Sequence, residues 1–116
     1  MLAVGSGKTQ LCLTLSLQCQ LPLADGGWDG KAAYMSCGEG EFPIQRLVQL
    51  GESYEATYGL TKRALLDGVL IESYHNAEDI LDSLTKKVPK LCRENNIKLV
   101  IIDRQGHHHA VCWHTL

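Results

Sequence analysis

The sequence has no surplus of positive charge. Its 11 basic and 13 acidic side chains leave a formal net charge of -2, which argues against a surface built mainly to hold nucleic acid by charge while leaving room for a local basic patch. It has no apolar run near the roughly 18 residues that a membrane span requires. It has no positively charged start followed by a plain apolar stretch, so a signal peptide is not expected. It has no internal repeat and no cysteine spacing that matches a metal motif. The five cysteines, Cys12, Cys19, Cys37, Cys92 and Cys112, are odd in number, so a disulfide scaffold is not expected and a reducing compartment fits. Cys12 and Cys19 fall in an apolar helical run, where small buried thiols are common.

What is present is an ordinary globular composition in 116 residues, 45% hydrophobic and 21% charged, the size of one domain. Residues 1–9 read as a loop with no strand before it. Residues 9–20 read as a helix whose apolar positions go most of the way round, as in a helix buried on several sides. Pro22 and Asp25-Gly26-Gly27 end it in a loop. Residues 32–36 read as a short buried strand, and Phe42 to Leu50 as a helix with Pro43 in its first turn. Between 51 and 68 only one or two turns, Lys62 to Leu66, are suggested. Residues 69–73 are a strand. Ala77 to Leu91 is the clearest helix, with Asn76 as N-cap, Glu78 and Asp79 early, Lys86, Lys87 and Lys90 late, and Pro89 tightening or kinking its last turns. Residues 97–103 are a strand, almost wholly apolar until Asp103. Three short apolar strands alternating with helices predict an α/β fold, a parallel sheet covered on both faces. Residues 104–116 hold His107, His108, His109 and His114 without a period of two or 3.6. Adjacent histidines rarely point at one ion, so this stretch reads as a disordered tail rather than a metal site.

The chemistry begins at Gly5-Ser6-Gly7-Lys8-Thr9. The last three residues match the end of G-x-x-x-x-G-K-[ST], whose first glycine falls at Leu2. Glycines let successive N–H groups curl around phosphates. Lys8 then reaches the terminal phosphates, the Thr9 hydroxyl binds Mg2+, and the following helix points its positive end at the same charges. The candidate ATP-binding stretch is Gly5, Ser6, Gly7, Lys8, Thr9 and Gln10. Asp103, at the end of an apolar strand, is the candidate second Mg2+ residue beside Thr9; an ordinary solvent-facing carboxylate is the alternative. Glu39, just past the strand at 32–36, is the candidate for activating water, with Glu41 as its rival.

Read together, Gly7-Lys8-Thr9-Gln10-Leu11-Cys12, Ala33-Tyr34-Met35-Ser36-Cys37-Gly38-Glu39, Phe42-Pro43-Ile44-Gln45-Arg46-Leu47 and Leu99 to Asp103 resemble the eukaryotic RecA/RadA-like recombinases, in particular their paralogue branch. The resemblance covers about residues 3–103. It implies a RecA-like P-loop NTPase three-layer sandwich, ATP and Mg2+ as cofactors, and a role in homologous recombination and double-strand-break repair in the nucleus, with the cytoplasm as a second compartment. The partners it implies are other recombinase paralogues, the central recombinase and single-stranded DNA. It carries Lys8 and Thr9 onto the phosphate and magnesium positions, Glu39 onto the water-activating glutamate and Asp103 onto the Walker B aspartate.

The sequence departs from that pattern at Leu2, at Gly38 where the family often has threonine, at Gly40 and Glu41, and at Arg104 where the family has serine. The strand before the loop, later strands and the DNA-binding loops find no counterpart, and the histidine-rich stretch matches nothing in the family. The expectation is therefore a truncated core with a foreign tail, binding ATP weakly and hydrolysing it little or not at all. Two other readings stay open. A small-molecule kinase would need a clamping lid, usually rich in arginine, and Arg46, Arg63, Arg93 and Arg104 do not cluster. A non-catalytic interaction fragment would bind a partner without nucleotide.

Overall fold

In the computed structural model the backbone is described over residues 2–4, 8–38, 42–104 and 109–114, and side chains over 10–38 and 42–103. The elements are β1 (Leu2–Val4), α1 (Lys8–Gln18), a short 3-10 turn (Leu23–Asp25), β2 (Lys31–Cys37), α2 (Ile44–Tyr58), α3 (Lys62–Asp67), β3 (Val69–Tyr74), α4 (Ala77–Lys86), α5 (Val88–Asn95), β4 (Ile97–Arg104) and β5 (His109–His114). They build a five-stranded sheet in the order β1-β5-β4-β2-β3.

The α/β architecture agrees with the sequence reading. β2 lies between β3 and β4 and is parallel to both. Its two faces are buried by alternate residues, as a strand's period of two requires. Ala32 and Tyr34 join the cluster formed with Leu13 and Leu17 of α1, Leu47 of α2 and Leu65 of α3. Ala33, Met35 and Cys37 join the opposite cluster with Ile80 of α4 and Val88 of α5. Helices thus cover both faces of the sheet. A register shift opposite Lys31/Ala32 inserts Lys98 as an extra residue in β4. Ile97 and Leu99, two residues apart, therefore reach opposite faces.

Several boundaries differ from the sequence reading. Three strands were expected; β1 and β5 are additional. β1 occupies Leu2–Val4, ahead of the loop, where no strand was expected. Over His109–His114 the chain is a strand rather than irregular tail, running antiparallel to both β4 and β1. The open edge of β4 supplies backbone partners whatever the side-chain pattern, so polarity alone does not reveal this strand. α1 is less evenly buried than its apolar letters suggest: Cys12, Leu13, Ser16 and Leu17 are buried, while Leu11 is 40% exposed.

α2 continues past Leu50 to Tyr58, ending where Gly59 turns left-handed at φ 78°. Gly51 interrupts the apolar pattern in sequence, yet it is where α3 comes close: a side chain there would meet Lys62 Cγ at 3.3 Å. The long helix expected over Ala77 to Leu91 is two helices. Pro89 takes an opening position of α5 after Lys87, because a proline inside a continuous helix lacks the N–H and crowds the preceding turn. Asn76 caps α4 as expected, its Oδ1 accepting from the Asp79 N–H at 2.9 Å.

Candidate functional site

The sheet brings to one edge the strand ends from which the chain leads into the sequence motifs. β1 runs in the same sense as β4, because each is antiparallel to β5. The register aligns Val4 with Ala110, Ala110 with Asp103, Asp103 with Ser36, and Ser36 with Ser73. Val4 and Asp103, separated by one strand, are therefore about 10 Å apart across the sheet. Just beyond this row the chain leaves β1 toward Gly5, Ser6 and Gly7, and α1 opens at Lys8. From β2 it leaves through Cys37 and Gly38, whose φ of 106° is in the range that favours glycine, toward Glu39.

Asp103 is fully buried, at 0% exposure. This removes the reading of it as a solvent-facing strand end. It shares the α1 side of the sheet with Leu99 and Ile101. The Tyr34 hydroxyl donates to its Oδ2 at 2.6 Å, the short range of a hydrogen bond to a charged acceptor. The Tyr34 ring in turn meets Phe42 edge-on, centroids 4.8 Å apart and planes at 82°. Phe42 is the first described residue after 39–41.

A second link joins α1 to α2. Arg46 Nε donates to Gln10 Oε1 at 2.7 Å, and Arg46 Nη1 donates to Gln49 Oε1 at 3.1 Å. Arg46 also lines an open groove of about 590 Å³ with Phe42, Pro43, Ile44, Gln45 and Gln49. Another groove, of about 360 Å³ beside Glu72, Tyr74, Asp79, Ser83 and Lys87, lies toward α4, on the face opposite Asp103.

Of the residues singled out in sequence, Gly5, Ser6, Gly7, Glu39 and Glu41 lie outside the described residues, as do His107 and His108. Lys8, Thr9 and Gln10 are the first three residues of α1. Gln10 is exposed and held by Arg46; Asp103 is held by Tyr34. Sequence reasoning missed the parts of Tyr34, Phe42 and Arg46. Tyr34 reads as one more strand residue until the pairing of β2 with β4 brings it within reach of a carboxylate 69 positions away. Among the described residues no cluster of three or more His, Cys, Asp or Glu could hold a metal ion. The buried Asp103 carboxylate is a hard oxygen donor, the kind that suits Mg2+.

Residues 3–112 match the protein family described as Rad51. The chain is 39% identical over 97 residues to "DNA repair protein RAD51 homolog" of Solanum lycopersicum, covering 84% of this chain and 27% of that protein. It is 38% identical over 98 residues to "DNA repair protein RAD51 homolog 1" of Arabidopsis thaliana, with the same shares, 84% and 27%. It is 34% identical over 98 residues to "DNA repair protein rhp51" of Schizosaccharomyces pombe, covering 84% of this chain and 25% of that protein. The chain thus spans about a quarter of the length of these curated relatives.

Proposed function

The chain belongs to the Rad51 family, and on that premise we propose that it is part of an ATP-binding DNA-repair protein of the recombinase-paralogue type, acting in homologous recombination and double-strand-break repair. Its fold is α/β and RecA-like, with a sheet that is parallel apart from β5 and flanked by helices, an incomplete P-loop NTPase domain. The observation that carries the ATP reading is the register row from Val4 to Ser36. It aligns the end of β1, which leads in the chain to Gly5–Gly7, with buried Asp103 and the end of β2, which leads to Glu39, at one sheet edge. In open α/β sheets, ligands bind beyond the carboxyl ends of the strands.

In this reading the backbone of Gly5, Ser6 and Gly7, with Lys8 and Gln10, holds the phosphates. Thr9 and Asp103 hold Mg2+, and Glu39 orients and activates water. Mg2+ supplies charge neutralisation at the phosphates when bound. Residues 1–103 carry the candidate ATP-binding core, and the family match and the sheet both extend beyond it, to residue 112 and through β5. The form Phe42-Pro43-x-x-Arg46-Leu47 favours the third X-ray-repair cross-complementing recombinase paralogue within the family. Other recombinase paralogues, the central recombinase and, in the whole protein, single-stranded DNA are the partners, and the nucleus is the compartment, with the cytoplasm second.

ATP binding is expected to be weak and turnover slight. Leu2 stands at the first glycine position, and catalysis depends on placing groups to within fractions of an ångström. Equilibrium binding of a fluorescent ATP analogue with Mg2+ tests the reading. Lys8→Ala removes charge-assisted contacts of about 1.5–3 kcal/mol, so affinity should fall roughly 10- to 100-fold. Equal binding by wild type and Lys8→Ala would remove the reading. Fast turnover abolished by Lys8→Ala would contradict only the low-activity part of it.

A further inference from the structure

We infer that Tyr34 is a positioning residue for Asp103: its hydroxyl orients the carboxylate that takes part in Mg2+ binding, an inference that rests on the ATP-site reading above. Both groups are fully buried, and the 2.6 Å contact between the Tyr34 hydroxyl and Asp103 Oδ2 is a side-chain hydrogen bond between two different strands. The phenol is also located by its ring. Phe42 packs edge-on against it at 82°, a favourable aromatic geometry that restrains the ring. A donor fixed in this way restrains the orientation of the carboxylate it binds, and with it the directions in which the carboxylate's lone pairs point.

Groups that hydrogen-bond to metal-binding side chains in this manner tune the metal as well as the fold. The same residue connects Asp103 to Phe42, the first described residue after 39–41.

Tyr34→Phe deletes one oxygen and keeps the ring that packs on Phe42, which separates the hydroxyl's role from packing. The full chain, wild type and variant, is titrated with a fluorescent ATP analogue first in EDTA and then at rising Mg2+. The expected result is unchanged binding in EDTA, with the Mg2+ concentration needed for half of the metal-dependent binding raised about 10- to 100-fold. A purely structural role would weaken binding in EDTA and in Mg2+ alike. That outcome overturns the inference, as does a folded variant with an unchanged Mg2+ midpoint.

Should the variant not fold, as judged by circular dichroism, wild-type protein carrying 13C-labelled tyrosine decides. The Tyr34 ring carbon bearing the hydroxyl should shift when Mg2+ is added to the nucleotide-bound chain, and the absence of a shift overturns the inference. Failure of the wild type to bind the analogue with or without Mg2+ removes the ATP reading itself, and this inference with it. Binding by wild type with no effect at Tyr34 removes the inference alone.

Discussion

Cys19 shows how one burial sets a pH response. It is 3% exposed, and its thiol approaches the carbonyls of Ser16 at 3.5 Å and Gly30 at 3.6 Å. Burial pushes the thiol from 9.0 up to about 12, against a smaller opposing effect of a backbone hydrogen bond. The folded chain therefore keeps this proton after the unfolded chain has lost it. The resulting stability is fully present below 9.0 and is lost as pH rises toward about 12. One such group contributes a slope of up to about 1.4 kcal/mol per pH unit. Urea unfolding across this window should show wild type losing stability faster with pH than Cys19→Ala; parallel slopes would contradict the assignment. Burial and desolvation also raise Tyr54, Tyr74 and Cys92, but both proteins share those groups. At this scale the sequence was legible where chemistry is local. Asn76 as a helix cap follows from its neighbours alone. Tyr34 was not legible, because its partner lies on another strand.

β5 was the least legible of the elements. His109–His114 carries no alternation of apolar and polar residues, yet it sits between β1 and β4. Among the described residues, β1 pairs with β5 alone. The three residues of β1, which precede the candidate phosphate-loop residues in the chain, are therefore tied to the sheet through a segment that sequence reading set aside as disordered tail. A chain ending at Arg104 should lose this tie. Its melting temperature by circular dichroism should drop by at least about 4–8 °C, the shift that corresponds to roughly 1 kcal/mol in a domain of about this size. Amide exchange at Leu2–Val4 should become fast. Unchanged melting and exchange would restore the disordered-tail reading. The division between α4 and α5 teaches a different lesson. Pro89 was visible, but the apolar spacing ran through it, and periodicity alone could not distinguish a kinked helix from two helices meeting at Lys87.

Among the described residues the helices pack on one sheet whose outer strands are β1 and β3. Ile71 on β3 is 38% exposed, and Leu81 on the neighbouring α4 is 63% exposed. Open strand edges favour association, and a chain of this size has little spare buried surface. The stable state is accordingly expected to be an assembly or a complex with a partner recombinase paralogue. Size-exclusion chromatography with light scattering checks this: a folded, monodisperse species at 12.8 kDa, obtained without a partner, would contradict it. The amino-acid sequence by itself determined the α/β class, because the apolar runs of β2, β3 and β4 and the spacing in α4 and α5 are local patterns imposed by backbone geometry. It also determined the candidate ATP-binding stretch, because Gly7-Lys8-Thr9 before an apolar helix is contiguous. Only the tertiary structure decided that Asp103 is buried rather than solvated, that Tyr34 holds it, and that β5 joins β1 to the sheet. Each of these depends on which strand lies beside which, and backbone hydrogen bonds between strands leave little imprint on the letters of either one.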